Sequence, residues 1–256
     1  MDRIKIFEKE LNTLHLDNMK EFAINIINDA PKYFFHIPAS STGKYHPSYA
    51  LGESGLVRHT KAVIRFFNYF MNLEQYNSIF DDVDIDCGII ACLAHDMYKS
   101  GSQEQYNKFK NENKKIYTVF EHPKLAADFI RNYGNKYSTY VESEFIASLI
   151  ETHMGQWNKS DRSEIILKKP VTDMQKLVHL ADYLASRKDI SVSFETIDYI
   201  SVLPDINTYK CSFGKYKDEL LIDIAHKDPD YLKELLNNIT LLEPTKTYIK
   251  QLLEKQ

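Results

Sequence analysis

Apolar positions recur along most of this chain with the spacing of an α-helix. "IKIFEKELNTL" (4–14) and "NMKEFAINIIND" (18–29) read as two short helices. "HTKAVIRFFNYFMNL" (59–73) puts Val63, Phe66, Phe67 and Phe70 on one face. "IDCGIIACLAHD" (85–96) is apolar nearly all round, which predicts a central buried helix. "HPKLAADFIRNYG" (122–134) has Pro123 just inside a helix start and Gly134 just past its expected end. "YVESEFIASLIETHM" (140–154) pairs Phe145 and Leu149 with Ile146 and Ile150. "TDMQKLVHLADYLASRK" (172–188) opens on Thr172 as N-cap and keeps helical spacing through Leu177, Leu180, Ala181 and Leu184.

No alternation of strands and helices precedes residue 190, so the body is expected to be an all-α bundle over residues 1–203. The texture then changes. "VSFETIDYISVLPDI" (192–206) is ambiguous, and "YKCSFGKYKDELL" (209–221) reads as a short strand and turn. "DPDYLKELLNN" starts a helix with Asp228 as N-cap and Pro229 in the first turn. Residues 204–256 are therefore expected to form a small α+β unit.

Composition narrows the function classes. At 43% hydrophobic and 27% charged residues, the 256-residue chain is ordinary for a globular protein. "MDRIKIFEKE" mixes charged and apolar residues, unlike a signal peptide, and no run approaches the ~18 apolar residues of a membrane span. The expectation is a soluble, cytoplasmic protein with no membrane partner. Cys87, Cys92 and Cys211 form no CxxC pair, which fits buried thiols in a reducing compartment. A net charge of −4 does not advertise a nucleic-acid binder, and "KFKNENKK" (108–115) reads as a solvated helix or loop face.

The chemistry-bearing residues sit on this helical map. His95 and Asp96 close the central apolar run, with Lys99 three residues on. His59 opens the Phe-rich helix, His122 begins another, His153 closes a third, and Asp182 lies mid-helix in apolar company. An unpaired carboxylate in such surroundings costs several kcal/mol. Six ligand-type side chains over five helices point to one shared metal centre.

The order H…HD…D resembles the HD superfamily of metal-dependent phosphohydrolases. His59, His95, Asp96 and Asp182 match its signature, His122 and His153 match the further histidines of binuclear members, and Lys99 matches the "HDxxK" pattern. "HPSYALGESGLVRHT" (46–60) resembles the segment before the first histidine in exoribonuclease-like and relaxase-associated HD proteins, where "GGLxxHT" is common. The resemblance implies that Asp96 bridges two ions, with His59, His95 and Asp182 on one and His122 and His153 on the other. One or two divalent Mn, Fe, Co, Ni or Zn ions suit such ligands. A water on such an ion falls from a pKa of ~15.7 toward ~7 and can attack phosphorus. The expected reaction is hydrolysis of a phosphodiester of nucleic acid or a signalling nucleotide. The alternatives are a nucleoside phosphate or triphosphate hydrolase, a di-iron HD oxygenase, or a non-catalytic module.

Lys99, Asp96 and Arg58 are the expected catalytic groups. Lys44, His46, Tyr98, Arg58 and Lys99 are the candidates for substrate contact, and His179 is expected in the core or behind the ligands. Two departures from the resembled pattern stand out: Met97–Tyr98 follow the HD pair where small residues are usual, and Ser54 replaces the first Gly of "GGL". "FGKYKDELLIDIAHKDPDYLKELLNN" (213–238) resembles the small C-terminal domain of exonuclease X-like proteins, with Asp218 in place of a Gly and no Trp after Asp-Tyr-Leu. It tilts the expected substrate toward a nucleotide or single-stranded nucleic acid.

Overall fold

The computed structural model describes residues 2–40, 43–112, 116–137, 140–161, 163–190, 192–194, 206–211, 213–238, 241 and 245–254. The helices are α1 (Arg3–Ile6), α2 (Glu8–Leu11), α3 (Asp17–Asp29), α4 (Gly55–Met71), α5 (Glu74–Asn77), α6 (Asp82–Ala94), α7 (Gln103–Asn111), α8 (His122–Tyr137), α9 (Tyr140–Glu151) and α10 (Asp173–Ala185). After residue 205 come α11 (Leu221–Lys227), α12 (Pro229–Asn238) and α13 (Thr245–Glu254). No helix among the described residues is long and apolar enough to cross a membrane.

α6 is the axis of the larger core. Every residue from Asp86 to Ala94 is buried, as its unbroken apolar run requires. α4, α9 and α10 pack around it, and α8 pairs with α9. Gly88 lets α4 come close, since a Cβ there would stand 2.1 Å from Phe67 Cζ. The buried Asp86 carboxylate accepts from the His15 and Leu16 N–H groups and faces His15 Nδ1 at 2.8 Å. It thereby ties the turn before α3 to α6.

Several boundaries differ from expectation. α4 begins at Gly55, so His59 lies one turn inside the helix rather than at its start. α8 runs through the buried Gly134 to Tyr137, because packing on α9 outweighs one residue's low helix propensity. Leu180 is 40% exposed, so the apolar stripe of α10 is narrower than its spacing implied. Thr172 does cap α10, in a reciprocal box with Gln175.

A second apolar core gathers Cys211, Leu221, Ile224, Leu232, Leu235 and Ile249. The strand expected at 209–221 amounts to one antiparallel bridge, Lys210 with Leu220, and no named strand occurs among the described residues, so the expected α+β character is not shown. A short 3₁₀ turn at Gly214–Tyr216 lies within that stretch, and another, Ile206–Thr208, just before it. Asp228 starts α12 as expected, accepting from Tyr231 N–H at 3.2 Å and from Tyr216 O–H at 2.8 Å. The ambiguous segment falls mostly on 195–205, and with it the expected 203/204 boundary, outside the described residues.

Candidate metal centre

Five elements deliver six side chains to one place. His59 comes from the second turn of α4, and His95 and Asp96 from the end of α6. His122 is the first residue of α8, His153 follows the end of α9, and Asp182 lies in α10. All but Asp182 are nearly inaccessible, and Asp182 keeps 18% of its side chain open.

Asp96 stands at the centre with its two oxygens turned to different partners. Oδ1 lies 3.0 Å from His122 Nε2 and 3.9 Å from His153 Nε2. Oδ2 lies 3.6 Å from His95 Nε2 and 3.8 Å from His59 Nε2. Asp182 Oδ1 adds contacts of 3.1 Å to His59 and 3.7 Å to His95. Two groups, His59–His95–Asp96 and Asp96–His122–His153, are compact enough to hold an ion each.

The ring nitrogens show that these residues suit a cation. His95, His122 and His153 each point Nδ1 at the carbonyl oxygen three residues earlier, at 2.7 to 2.8 Å. A carbonyl only accepts, so the proton sits on Nδ1 and the Nε2 lone pair faces Asp96. The Nε2 atoms of His122 and His153 are 3.2 Å apart, and those of His59 and His95 3.4 Å. The His122 and His153 lone pairs, facing each other at that range, repel unless an electrophile lies between them, whereas His59 Nε2 also meets Asp182 Oδ1 at 3.1 Å. Two nitrogens bound to one ion at ~2.0–2.1 Å stand about 3–3.4 Å apart at ordinary ligand angles. Burial, then His95 and His122, pushes His153 down to about 3, and burial also lowers His95, so both rings stay neutral as ligands must be. Burial works to raise the Asp96 carboxyl, but Lys99, His95 and His122 override it and hold it well below the ordinary range. Asp182 is held low in the same way, by the His59 hydrogen bond and the nearby histidines against the pull of burial.

The ligand shell is braced from behind. His179 Nδ1 donates to the His153 carbonyl at 2.7 Å, which places it behind the ligands as expected. Gly155 has φ +55, and a Cβ there would sit 2.2 Å from the His179 ring, so the turn after His153 requires glycine.

A cavity of about 580 Å³ opens onto the centre, lined by Asp96, Lys99, His122, His153 and Asp182 among others. His46 also lines it, its ring 5.8 Å from that of His59, and burial followed by His59 and Lys99 pushes it down to about 4. Three expected site residues lie elsewhere. Arg58 is wholly buried and donates to the carbonyls of Tyr49, Leu51 and Glu53 at 2.6 to 3.0 Å, bracing the loop before α4 instead of facing substrate. Tyr98 packs its ring on Phe129 at 5.3 Å and is not part of the cavity wall. Lys44 is exposed over the Tyr45 ring and is not part of the cavity wall.

The cavity wall also contains Trp157, Tyr183 and Arg187, which were not among the expected site residues. The available signal was spacing: Trp157 comes four residues after His153, and Tyr183 adjoins Asp182.

The family model for the HD domain matches residues 56–187, more than half of the chain. The Exodeoxyribonuclease X-like C-terminal family matches residues 212–240. No curated protein and no solved structure matched the chain.

Proposed function

The chain belongs to the HD-domain family of metal-dependent phosphohydrolases, and from that premise we propose that it hydrolyses a phosphodiester of a nucleic acid or a signalling nucleotide. The observation that carries this reading is the division of the two Asp96 oxygens between two histidine pairs. Ions held there would polarise a phosphoryl oxygen and make water a competent nucleophile near neutral pH. In our reading His59, His95, Asp96 and Asp182 hold one, and Asp96, His122 and His153 the other. The carbonyl-bound Nδ1 protons fix ring orientation, and burial keeps the His95 and His153 imidazoles neutral in the working range. Lys99, at the cavity wall, supplies a compact positive charge for a phosphoryl oxygen. That charge favours the phosphoryl reading over an oxygenase acting on a neutral substrate. His46 is our candidate for substrate contact in the same cavity.

We also place a domain boundary at 203/204, take the C-terminal unit as an accessory to nucleotide or single-stranded nucleic acid substrates, and assign a cytoplasmic setting. The match of the exodeoxyribonuclease X-like C-terminal family and the three buried free cysteines support these readings. The test is hydrolysis of a panel of phosphodiesters, nucleoside monophosphates and triphosphates with Mn(II), Fe(II), Co(II), Ni(II) and Zn(II), with and without O₂. We expect O₂-independent cleavage of a diester. Cleavage confined to mono- or triphosphates would move the substrate class, and O₂-dependent turnover of an Fe(II)-loaded protein would replace the reading.

A further inference from the structure

We infer that the mouth of this cavity is a nucleobase-stacking site built on Trp157, so that the phosphate ester it takes carries an unpaired base; the inference deepens the phosphohydrolase reading and rests on it for the word ester. Trp157 ends the turn Gly155–Trp157, which follows His153 after the single residue Met154. Tyr183 covers one face of the indole, with ring centroids 5.6 Å apart and planes inclined by 16°. His179 meets it edge-on at 6.1 Å. The residue nevertheless leaves 42% of its surface open, and it lines the cavity. An indole backed on one side and open on another is a stacking platform.

Its surroundings select the kind of ring. Arg187 Cζ stands 4.5 Å from the Tyr183 ring, 5.7 Å from Trp157 and 5.9 Å from Tyr45. Three aromatic rings around one space would ordinarily suit an organic cation. Here a permanently charged guanidinium already fills that space and repels one. A flat, uncharged, electron-rich ring joined to an anion remains complementary, and a base on a sugar phosphate has that character. Arg187 also lines the cavity, which sets its guanidinium beside whatever ring stacks there.

The two ends of the cavity are tied together by covalent structure. Trp157 is joined to His153 through a hydrogen-bonded turn, Gly155 N to Thr152 O and Trp157 N to Met154 O, both 3.0 Å. Tyr183 is the residue after Asp182 on α10. The platform and the phosphate end are thus carried by the same two segments, in a cavity whose size suits a single nucleotide rather than a duplex.

Trp157 is the only tryptophan in the chain, so its emission reports this site directly. The metal-free full-length protein should show saturable quenching with adenosine 5′-monophosphate, while ribose 5-phosphate, the same anion without a base, should leave emission unchanged. In the metal-loaded protein Trp157→Ala should raise KM for a base-bearing ester about tenfold to a hundredfold, with kcat nearly preserved. Trp157→Phe should recover most of that loss, and hydrolysis of an abasic ester should not respond. Equal effects of the two ligands on emission would overturn the inference, as would an equal loss on base-bearing and abasic esters in Trp157→Ala. Base-selective quenching in a protein that cleaves no phosphate ester would uphold the stacking site and reject the phosphohydrolase reading. Cleavage without base selectivity would do the reverse.

Discussion

Lys99 Nζ lies 2.5 Å from Asp96 Oδ2, the oxygen that also faces His59 and His95. The ammonium sits in the cavity wall beside the carboxylate best placed to join two ions. Lys99 is thus paired with Asp96, and its proposed role as a cation for substrate oxygens separates experimentally from that pairing alone. In the proposed role Lys99→Ala should fold, keep its metals and lose about 10²–10³ in kcat, the usual effect of removing a preorganised charge. Lys99→Arg should recover only part, because a planar fork does not replace a compact ammonium. Metal content and turnover measured on the same preparations decide it, and full activity in Lys99→Ala would remove Lys99 from the mechanism.

The split contacts of Asp96 make a prediction about stoichiometry. Asp96→Ala removes the residue shared by both candidate groups and should lose most bound metal. His122→Ala should empty only the Asp96–His122–His153 group, halving the metal per chain and sharply reducing turnover. Elemental analysis of purified protein checks both. Unchanged metal and activity in His122→Ala would leave a mononuclear centre on His59, His95 and Asp182.

Acid should destabilise the metal-free protein, and His153 fixes where. An ordinary histidine titrates near ~6.5. Burial, with His95 and His122, pushes the folded His153 down to about 3. Below about pH 6.5 the unfolded chain binds a proton that the folded protein refuses, so stability falls as pH drops until the folded ring titrates. Asp96 and Asp182 are also depressed; their contribution holds above the ordinary carboxylate pKa and fades only in stronger acid. Between about pH 6.5 and 4.5, above the ordinary carboxylate range, His153 and the other depressed rings, His95 and His46, govern the slope. Each such ring contributes up to ~1.4 kcal/mol per pH unit. Urea unfolding in chelator at a series of pH values should therefore show a shallower slope for His153→Gln than for the parent, and identical slopes would contradict the assignment.

The metal-type residues were legible in the sequence because each occupies a position where a polar group needs a reason, at the end or on the inner face of an apolar helix. Their convergence needed only an all-α bundle, and that followed from helical spacing. Arg58 was misread because adjacency along a helix does not give direction: His59 faces the centre, while its neighbour turns under the preceding loop to meet three carbonyls. Tyr98, another expected substrate contact, follows the same rule, because the position of Phe129 on α8 decides that its ring packs inward. The aromatic wall has no signature in the sequence, because Tyr45, Trp157 and Tyr183 come from three separate segments and the surface is assembled only by the fold. The C-terminal strand failed on length, since a single bridge between Lys210 and Leu220 closes the segment without building a ladder.

The two glycines missing from the resembled motifs yield the last prediction. Ser54 and Asp218 stand where those motifs have Gly, and they are the two non-glycine residues with positive φ among the described residues, at 57° and 70°. The backbone thus keeps the left-handed turn that glycine adopts freely, and an L-residue there carries strain of roughly 1–2 kcal/mol. Asp218 is the cleaner test, because its side chain is exposed while its N–H donates to the Cys211 carbonyl at 2.7 Å, a bond that glycine would keep. Glycine also widens the unfolded ensemble, which offsets ~0.5–1 kcal/mol of the relief. Asp218→Gly should therefore stabilise the second core by about 0.5–1 kcal/mol, and hydrogen exchange over 206–254 should slow by roughly two- to fivefold. Exchange in the larger core and the metal content should not move. Faster exchange around Cys211 and Leu221 in Asp218→Gly would show that the aspartate stabilises this turn through its side chain, and would make the departure from glycine an adaptation rather than a strain.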